Sequence, residues 1–340
     1  MPEAQSGLSR PWICSFFRVS AVLCVSVVNQ SQQTSTIETP RNHRVTKKNK
    51  IRHCAGLVRE LRLIENVKVA PKLSIVVPAF NEAARLGGSL KQIVRYLSER
   101  REQTELIVVD DGSTDNTAVV AEEALRDAGA VATRVIRYEE NRGKGYAVRL
   151  GLLEAQANIA LFSDADLSTP ITETPQLVDP IRSNECDLTF GSRALDRRLI
   201  GVHQPWRREQ GGRVFNLIVR VATGLPFWDT QCGFKAFRLN VCRPLIEAAQ
   251  IDRFGFDVEL IYLAYLAKLR LREVAVRWDH NAGGPLDASG NYSRDSLRMI
   301  NEVRRIRAAA AAGEYSEAIS VARTATMVEA KHGLTARSSV

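Results

Sequence analysis

From Lys72 onward the chain alternates short apolar runs with longer amphipathic stretches. "LSIVVPAF" (residues 73–80) is a β-branched run closed off by proline, which predicts a buried strand. Residues 83–101 follow with Leu86, Leu90, Ile93, Val94 and Leu97 on one helical face. The alternation then repeats. "ELIVVDD", "TRVIRY", "IALFSD" and "DLTFGSR" read as strands. "TDNTAVVAEEALRDAG", "GKGYAVRLGLLEAQ" and residues 172–184 read as helices, the first with Thr114 or Asp115 as its N-cap and Gly129 as its stop. Such spacing predicts βαβ units and a mostly parallel sheet with helices on both faces, an α/β fold.

In such sheets ligands bind outside the carboxyl ends of the strands. The polar motifs fall there: "PAFNE" (78–82), "DDGSTD" (110–115), "NRGKG" (141–145), "SDADLS" (163–168) and "GSR" (191–193). One such cluster is an ordinary turn. A set on one edge, one per strand, describes a ligand cleft.

The flanks differ from this core. Residues 13–28 are apolar but short for a membrane span and interrupted by Arg18. A weak anchor, a signal-like stretch and a start assigned too far upstream all stay open. Residues 29–50 turn polar, then basic, and read as a linker or disordered arm. We therefore expect an extension over 1–70, one domain over 71–307, and a loose helix and tail over 308–340.

Composition adds a partner class. A net charge of +9 over 340 residues suits an anionic partner: a phosphate-rich ligand, a nucleic acid or an anionic membrane. Nucleic acid is not expected, because no motif interleaves aromatics with basic residues across a sheet or groove. The six cysteines are scattered with no CxxC pair, which fits reduced thiols in a cytosolic protein and not a disulfide framework or zinc site. Arginines crowd residues 193–220 around an apolar run, "VFNLIVRVATGLPFW". That is either an ordinary surface helix or an interface helix on anionic lipid.

The sharpest chemistry is Asp164 and Asp166, two residues apart at the end of a strand. Crowded carboxylates repel and call for a cation. A hard divalent ion, held by few protein oxygens and by a diphosphate, stabilises charge on a departing nucleotide. Phe80 offers an apolar face, and the Asp111 carboxylate can accept an N–H. Glu82 can accept from hydroxyls or cap the next helix. Lys144, between two glycines at a helix start, reaches a phosphate with backbone N–H groups beside it, or is a solvated lysine at a turn.

Together "VVPAFNE", "VVDDGSTDNT", "NRGKGYAVRLG", "DADLSTP", "GSR", "TQCGFKAFR", "GFDVELIYLA" and "RDSLRM" resemble the family 2 glycosyltransferases over residues 72–307. The resemblance implies a GT-A fold: Rossmann-like, with a mixed, mostly parallel sheet. Within the family the chain is most similar to the dolichyl-phosphate β-glucosyltransferase branch, with mannose synthases and bacterial polyprenyl-phosphate transferases nearby. It implies a nucleotide-sugar site of Pro78, Phe80, Glu82, Val109, Asp111, Lys144, Asp164, Ala165, Asp166 and Arg193. Mg²⁺ or Mn²⁺ is implied on Asp164 and Asp166, with Ser168 standing where mannosyl relatives carry a glutamine ligand. Arg208 and Lys235 fall at acceptor-phosphate positions, with Arg238 a weaker candidate. Gly212 sits where relatives carry a serine, so a hydroxyl contact is missing there. Asp166 and Asp257 are the implied catalytic residues, Asp257 where hydroxyl-using members place a base; Asp229 and Glu259 are alternatives to it or structural.

The implied reaction is inverting transfer of glucose from UDP-glucose to a polyprenyl (dolichyl-type) phosphate. It would run on the cytoplasmic face of a membrane, by a peripheral or weakly N-terminally anchored protein. GDP-mannose as donor, a sugar hydroxyl as acceptor and an inactive nucleotide-sugar binder are the rivals. An inactive binder is expected to lack the metal carboxylates, and both are present.

Overall fold

The computed structural model describes residues 70–281 and 292–337, without the side chains of 207–208, 292–296 and 332–337. The expected extension and its apolar stretch at 13–28 lie outside the described residues. Among the described residues no helix is long and apolar enough to cross a membrane.

Strands β1 (Leu73–Ala79), β2 (Thr104–Asp110), β3 (Ala132–Arg137), β4 (Ile159–Ser163), β5 (Leu188–Ser192), β7 (Phe234–Arg238) and β8 (Leu271–Ala275) form a seven-stranded sheet in the order β3-β2-β1-β4-β7-β5-β8. Every pairing is parallel except those of β7, which runs antiparallel between β4 and β5. A small second sheet pairs β6 (Ile200–Val202) with β9 (Trp278–Asp279).

The two-residue period of the strands sorts their side chains into two apolar layers. In β1, Leu73, Ile75, Val77 and Ala79 join one layer and Val76 the other. Helices α1 (Ala83–Ser98), α2 (Thr117–Leu125) and α4 (Thr174–Arg182) cover the first face. Helices α3 (Lys144–Glu154), α6 (Leu239–Ala248) and α7 (Phe256–Leu266) cover the second, together with α8 (Tyr292–Ala311) and α9 (Ser316–Arg337). Helix α5 (Trp206–Thr223) sends Phe215 and Val219 into that second layer. Pro78 lies inside β1 without breaking a bond to β4, because that pairing ends at Val76.

Two expectations change. "FKAFR" is not a surface phosphate motif; it is the central strand β7, and both its charged side chains are buried. The described part of the expected tail, to Arg337, is not loose. Helix α9 packs on α6, the Tyr315 hydroxyl donates to Glu259 (2.7 Å), and Thr326 donates to Asp187 (2.5 Å).

Asp187 is the anchor at the sheet end opposite the cleft. Its fully buried carboxylate takes Arg270 on both oxygens, at 2.5 and 2.9 Å, and lies 3.4 Å from Arg238 Nε. Burial alone would raise its pKa; hydrogen bonds from Arg270 and Thr326 outweigh that and hold it below the ordinary carboxylate range. A depressed native pKa means the unfolded chain binds more protons, so stability is present at neutral pH and lost as pH falls through the native value. Asp187→Ala should cost about 3–5 kcal/mol in urea denaturation at pH 7, because buried arginine charge loses its partner. The deficit should shrink as the pH is lowered below the ordinary aspartate value.

Candidate active site

The five parallel strands β1 to β5 end on one edge, and the polar motifs gather there. Asp164 and Asp166 follow β4, near the middle of the sheet. Asp164 donates its backbone N–H to Gly233 O (3.0 Å) across the antiparallel neighbour. A Cβ on Gly233 would stand 1.9 Å from Asp164 Oδ2, so only glycine leaves the carboxylate its place. Leu167 then adopts φ 49°, a left-handed conformation rare for a side chain of its size. The turn is held by Ser168 N–H on Asp166 Oδ1 (2.9 Å), Asp279 N–H on Ser168 O (2.8 Å) and Asn281 Nδ2 on Asp166 O (2.7 Å).

Around this pair lies a chain of charges. Lys144 Nζ is 2.6 Å from Asp164 Oδ1, and Lys235 Nζ is 2.7 Å from Asp257 Oδ1. The two ammonium groups stand 5.5 and 5.8 Å from the centroid of one ring, Phe162. Arg85 forks onto Glu82 and reaches within 3.7 Å of Asp166. Burial, then the neighbouring Asp164 charge, raises the pKa of Asp166. Burial likewise raises that of Asp257, against the pull of Lys235 and Lys144.

These residues fit a divalent cation. Asp164 Oδ1 is buried, and among the described residues no hydrogen-bond donor addresses it with good geometry. Asp164, Asp166 and Asp257 face Lys144 and Lys235, so the cluster is short of positive charge once Glu82 is matched by Arg85. Among the described residues no cluster of three or more acidic, histidine or cysteine side chains could hold a metal ion, so the pair offers two carboxylates and no third such ligand. Ser168, expected as a third ligand, is buried behind the turn, its backbone held by Asp166 and Asp279.

Several expected contacts take other parts. The Asp111 carboxylate accepts from Tyr138 Oη (2.8 Å), Asn141 Nδ2 (2.9 Å), Arg142 N (2.8 Å) and Gly143 N (3.0 Å), leaving no open site for a base N–H. It clamps the loop that carries Lys144. The glycines flanking Lys144 serve packing: a Cβ at Gly145 would stand 2.5 Å from Ile251 O, and one at Gly143 2.4 Å from Asp252 O. Val109 and Ala165 are buried in the apolar layers and offer a nucleotide only backbone. Arg193 spends its fork on Asp229, Nε at 2.7 Å and Nη2 at 2.9 Å. Burial opposes that pair, yet the guanidinium holds Asp229 down at about 2.

Lys235, expected at an acceptor phosphate, is wholly buried, donates to Cys232 O (2.5 Å) and pairs with Asp257. Arg238 is turned to the opposite end of β7 and to Asp187. Glu259 accepts Gln250 N (2.8 Å) and Ile251 N (2.9 Å) and is structural. Pro78 is buried in β1 and Phe80 lies partly exposed just beyond it. The Arg208 side chain lies outside the described residues. Arg85, Asn281 and Gly233 were not expected; Glu82 and Arg85 at i and i+3 on a helix start were the available signal for the first.

The sequence pattern of the family described as "Glycosyl transferase family 2" matches residues 74–245, just over half the chain. The chain belongs to glycosyl transferase family 2. A dolichyl-phosphate beta-glucosyltransferase of Dictyostelium discoideum is 31% identical over 74% of this chain and 77% of its own. One of Drosophila melanogaster is 37% identical over 63% of this chain and 69% of its own. In structure, glucosyl-3-phosphoglycerate synthase of Mycobacterium tuberculosis, solved with Mn²⁺, UDP-glucose and phosphoglyceric acid, matches with a TM-score of 0.50 at 22% identity, covering 68% of this chain and 79% of its own. That likeness shows the GT-A fold. The place of the Asp164 carboxylate depends on the missing side chain of Gly233. Gly233→Ala should therefore stay folded, losing about 1–3 kcal/mol by overpacking. Titrated with Mn²⁺ in the presence of UDP, it should bind the ion at least about tenfold more weakly than the native chain.

Proposed function

We propose that the protein transfers glucose from UDP-glucose to a polyprenyl phosphate of the dolichyl type, with inversion at the sugar carbon. The observation that carries the reading is the cation-short Asp164–Asp166 pair beside Lys144 at the strand ends, in a chain whose relatives at 31% and 37% identity are dolichyl-phosphate beta-glucosyltransferases. An acceptor phosphate oxygen attacks C1 of the sugar, the bond from C1 to the UDP oxygen breaks, and UDP leaves with the electron pair.

Asp164 and Asp166 are the residues that would hold Mg²⁺ or Mn²⁺, which when bound neutralises charge on the departing diphosphate. Lys144 adds a positive charge on the same side. The outer edge of the Arg193 guanidinium, oriented by Asp229, supports a phosphate oxygen. A phosphate acceptor is already ionised near neutral pH, so no residue has to remove a proton. That agrees with Asp257, whose carboxylate is paired with a buried lysine and not held free for proton transfer. Its part is to position Lys235 and the floor of the cleft.

Helix α5 supports a lipid acceptor. It is apolar inward through Phe215 and Val219, and apolar outward through Val214, Leu217 and Val221. Trp206 and Val221 are 73% and 79% exposed, and Arg220 stacks on the exposed Trp228 at 3.9 Å. An outer apolar stripe with Arg213 and Arg220 on the same helix matches a membrane surface with anionic lipid.

The direct test incubates the full chain with Mg²⁺, polyprenyl phosphate and either labelled UDP-glucose or labelled GDP-mannose. Lipid-linked label from UDP-glucose alone is expected, and Asp166→Asn should lower it by about 10²–10³-fold. Label from GDP-mannose alone would shift the donor, and none from either would end the lipid-acceptor reading. Sedimentation with phosphatidylserine-containing vesicles should carry the protein down. Leu217→Glu with Val221→Glu should release it without changing its melting temperature by more than a few degrees.

A further inference from the structure

The two lysines over Phe162 differ in one respect. Lys235 is locked: no part of it is exposed, and its ammonium is held by Asp257 and Cys232 O. Lys144 is 28% exposed at its side chain, and its close partner is Asp164. Its backbone cannot move to follow a ligand, because Gly143 N–H is fixed on Asp111, Tyr146 N–H on Asp252 O (3.0 Å), and Gly145 is pressed on Ile251 O. Only the side chain is free to turn, with the ring face of Phe162 beneath the ammonium.

The oxygen that Lys144 occupies is the buried Oδ1 of Asp164. A divalent ion and an ammonium group cannot both sit on it, since their repulsion in a partly desolvated cleft is large. Displacing the ammonium is unfavourable unless a new anion receives it, because Asp257 is already paired with Lys235 and Asp166 would share the incoming ion. A diphosphate provides that anion. We propose that Lys144 is the resident counter-cation of Asp164 and passes to the donor's diphosphate when a divalent ion binds, so that metal and nucleotide enter as a thermodynamically linked pair. This inference rests on the metal-dependent reading above and adds the reason why the affinities of ion and nucleotide are linked.

The linkage is reciprocal: whatever factor UDP adds to ion affinity, the ion adds to UDP affinity. The test follows free Mn²⁺ by electron paramagnetic resonance with the full chain, with and without UDP. In the native protein UDP should tighten Mn²⁺ binding by about tenfold or more. Lys144→Met should bind Mn²⁺ at least about fivefold more tightly than native when UDP is absent, and lose most of the UDP enhancement. Lys144→Gln, which keeps a polar tip without charge, should behave the same way and guards against a packing fault in the methionine variant. Unchanged or weaker Mn²⁺ binding by both variants without UDP, while the native protein binds Mn²⁺ with UDP, overturns the counter-cation inference alone. No Mn²⁺ binding by the native protein even with UDP overturns the divalent-ion reading and this inference with it.

Discussion

Two carboxylates two residues apart, at the mouth of a buried strand, set the terms for the rest of this molecule. Asp164 and Asp166 repel, and Asp166 shows it in a raised pKa that burial begins and Asp164 adds to. The fold brings charge to them from elements far apart in sequence: Arg85 from α1, Lys144 from α3, and the Lys235–Asp257 pair from β7 and α7. None of these reaches the pair unless β4 lies between β1 and β7. The antiparallel β7 is what makes this geometry. It lays Gly233 against Asp164 and Lys235 opposite Phe162 in one pass.

The opposite end of the sheet solves a different problem with the same materials. Asp187 is as buried as any residue in the chain, yet it is fully supplied with donors from Arg270 and Thr326. Its carboxyl is held low where that of Asp166 is pushed high. A saturated buried carboxylate contributes to stability and has nothing left to offer a ligand. An undersupplied one costs stability and binds cations. The same distinction separates Asp111 from Asp164 within the cleft: the former is closed by four protein donors, while Oδ1 of the latter has the Lys144 ammonium beside it and no hydrogen bond of good geometry.

That distinction also marks what could be read from the sequence. Strands β1 to β5 and the helices between them follow from apolar period and turn residues, because each is decided by neighbours within a few positions. The cleft edge follows from the same pattern. β7 was hidden because Lys235 and Arg238 interrupt its apolar run, and only partners at Asp257 and Asp187 make them burial-competent. Helix α9 was hidden for a like reason: its alanine-rich approach looks unanchored until Tyr315 and Thr326 find Glu259 and Asp187. Motif spelling located Asp111, Arg193 and Lys235, while their hydrogen bonds, invisible in one dimension, assign them to holding the site's walls.

The paired state of Arg193 shows why holding and binding are not rivals here. An arginine with a bidentate carboxylate behind it keeps its plane fixed and still presents N–H groups on its outer edge. Asp229 is itself fixed, its backbone N–H on Glu273 Oε1 at 2.8 Å and its carboxylate accepting Gln231 N–H at 3.1 Å. The loop carrying it joins α5 to β7, and Trp228 in that loop is stacked by Arg220 of α5. The same loop continues into Gly233, which shapes the place of Asp164, so the exposed stripe of α5, the Arg193–Asp229 pair and the Asp164 turn are joined by one stretch of chain, residues 206–238. Of its arginines with described side chains, Arg238 meets the buried Asp187 carboxylate, while Arg213 pairs with Glu209 and Arg220 lies on the exposed Trp228.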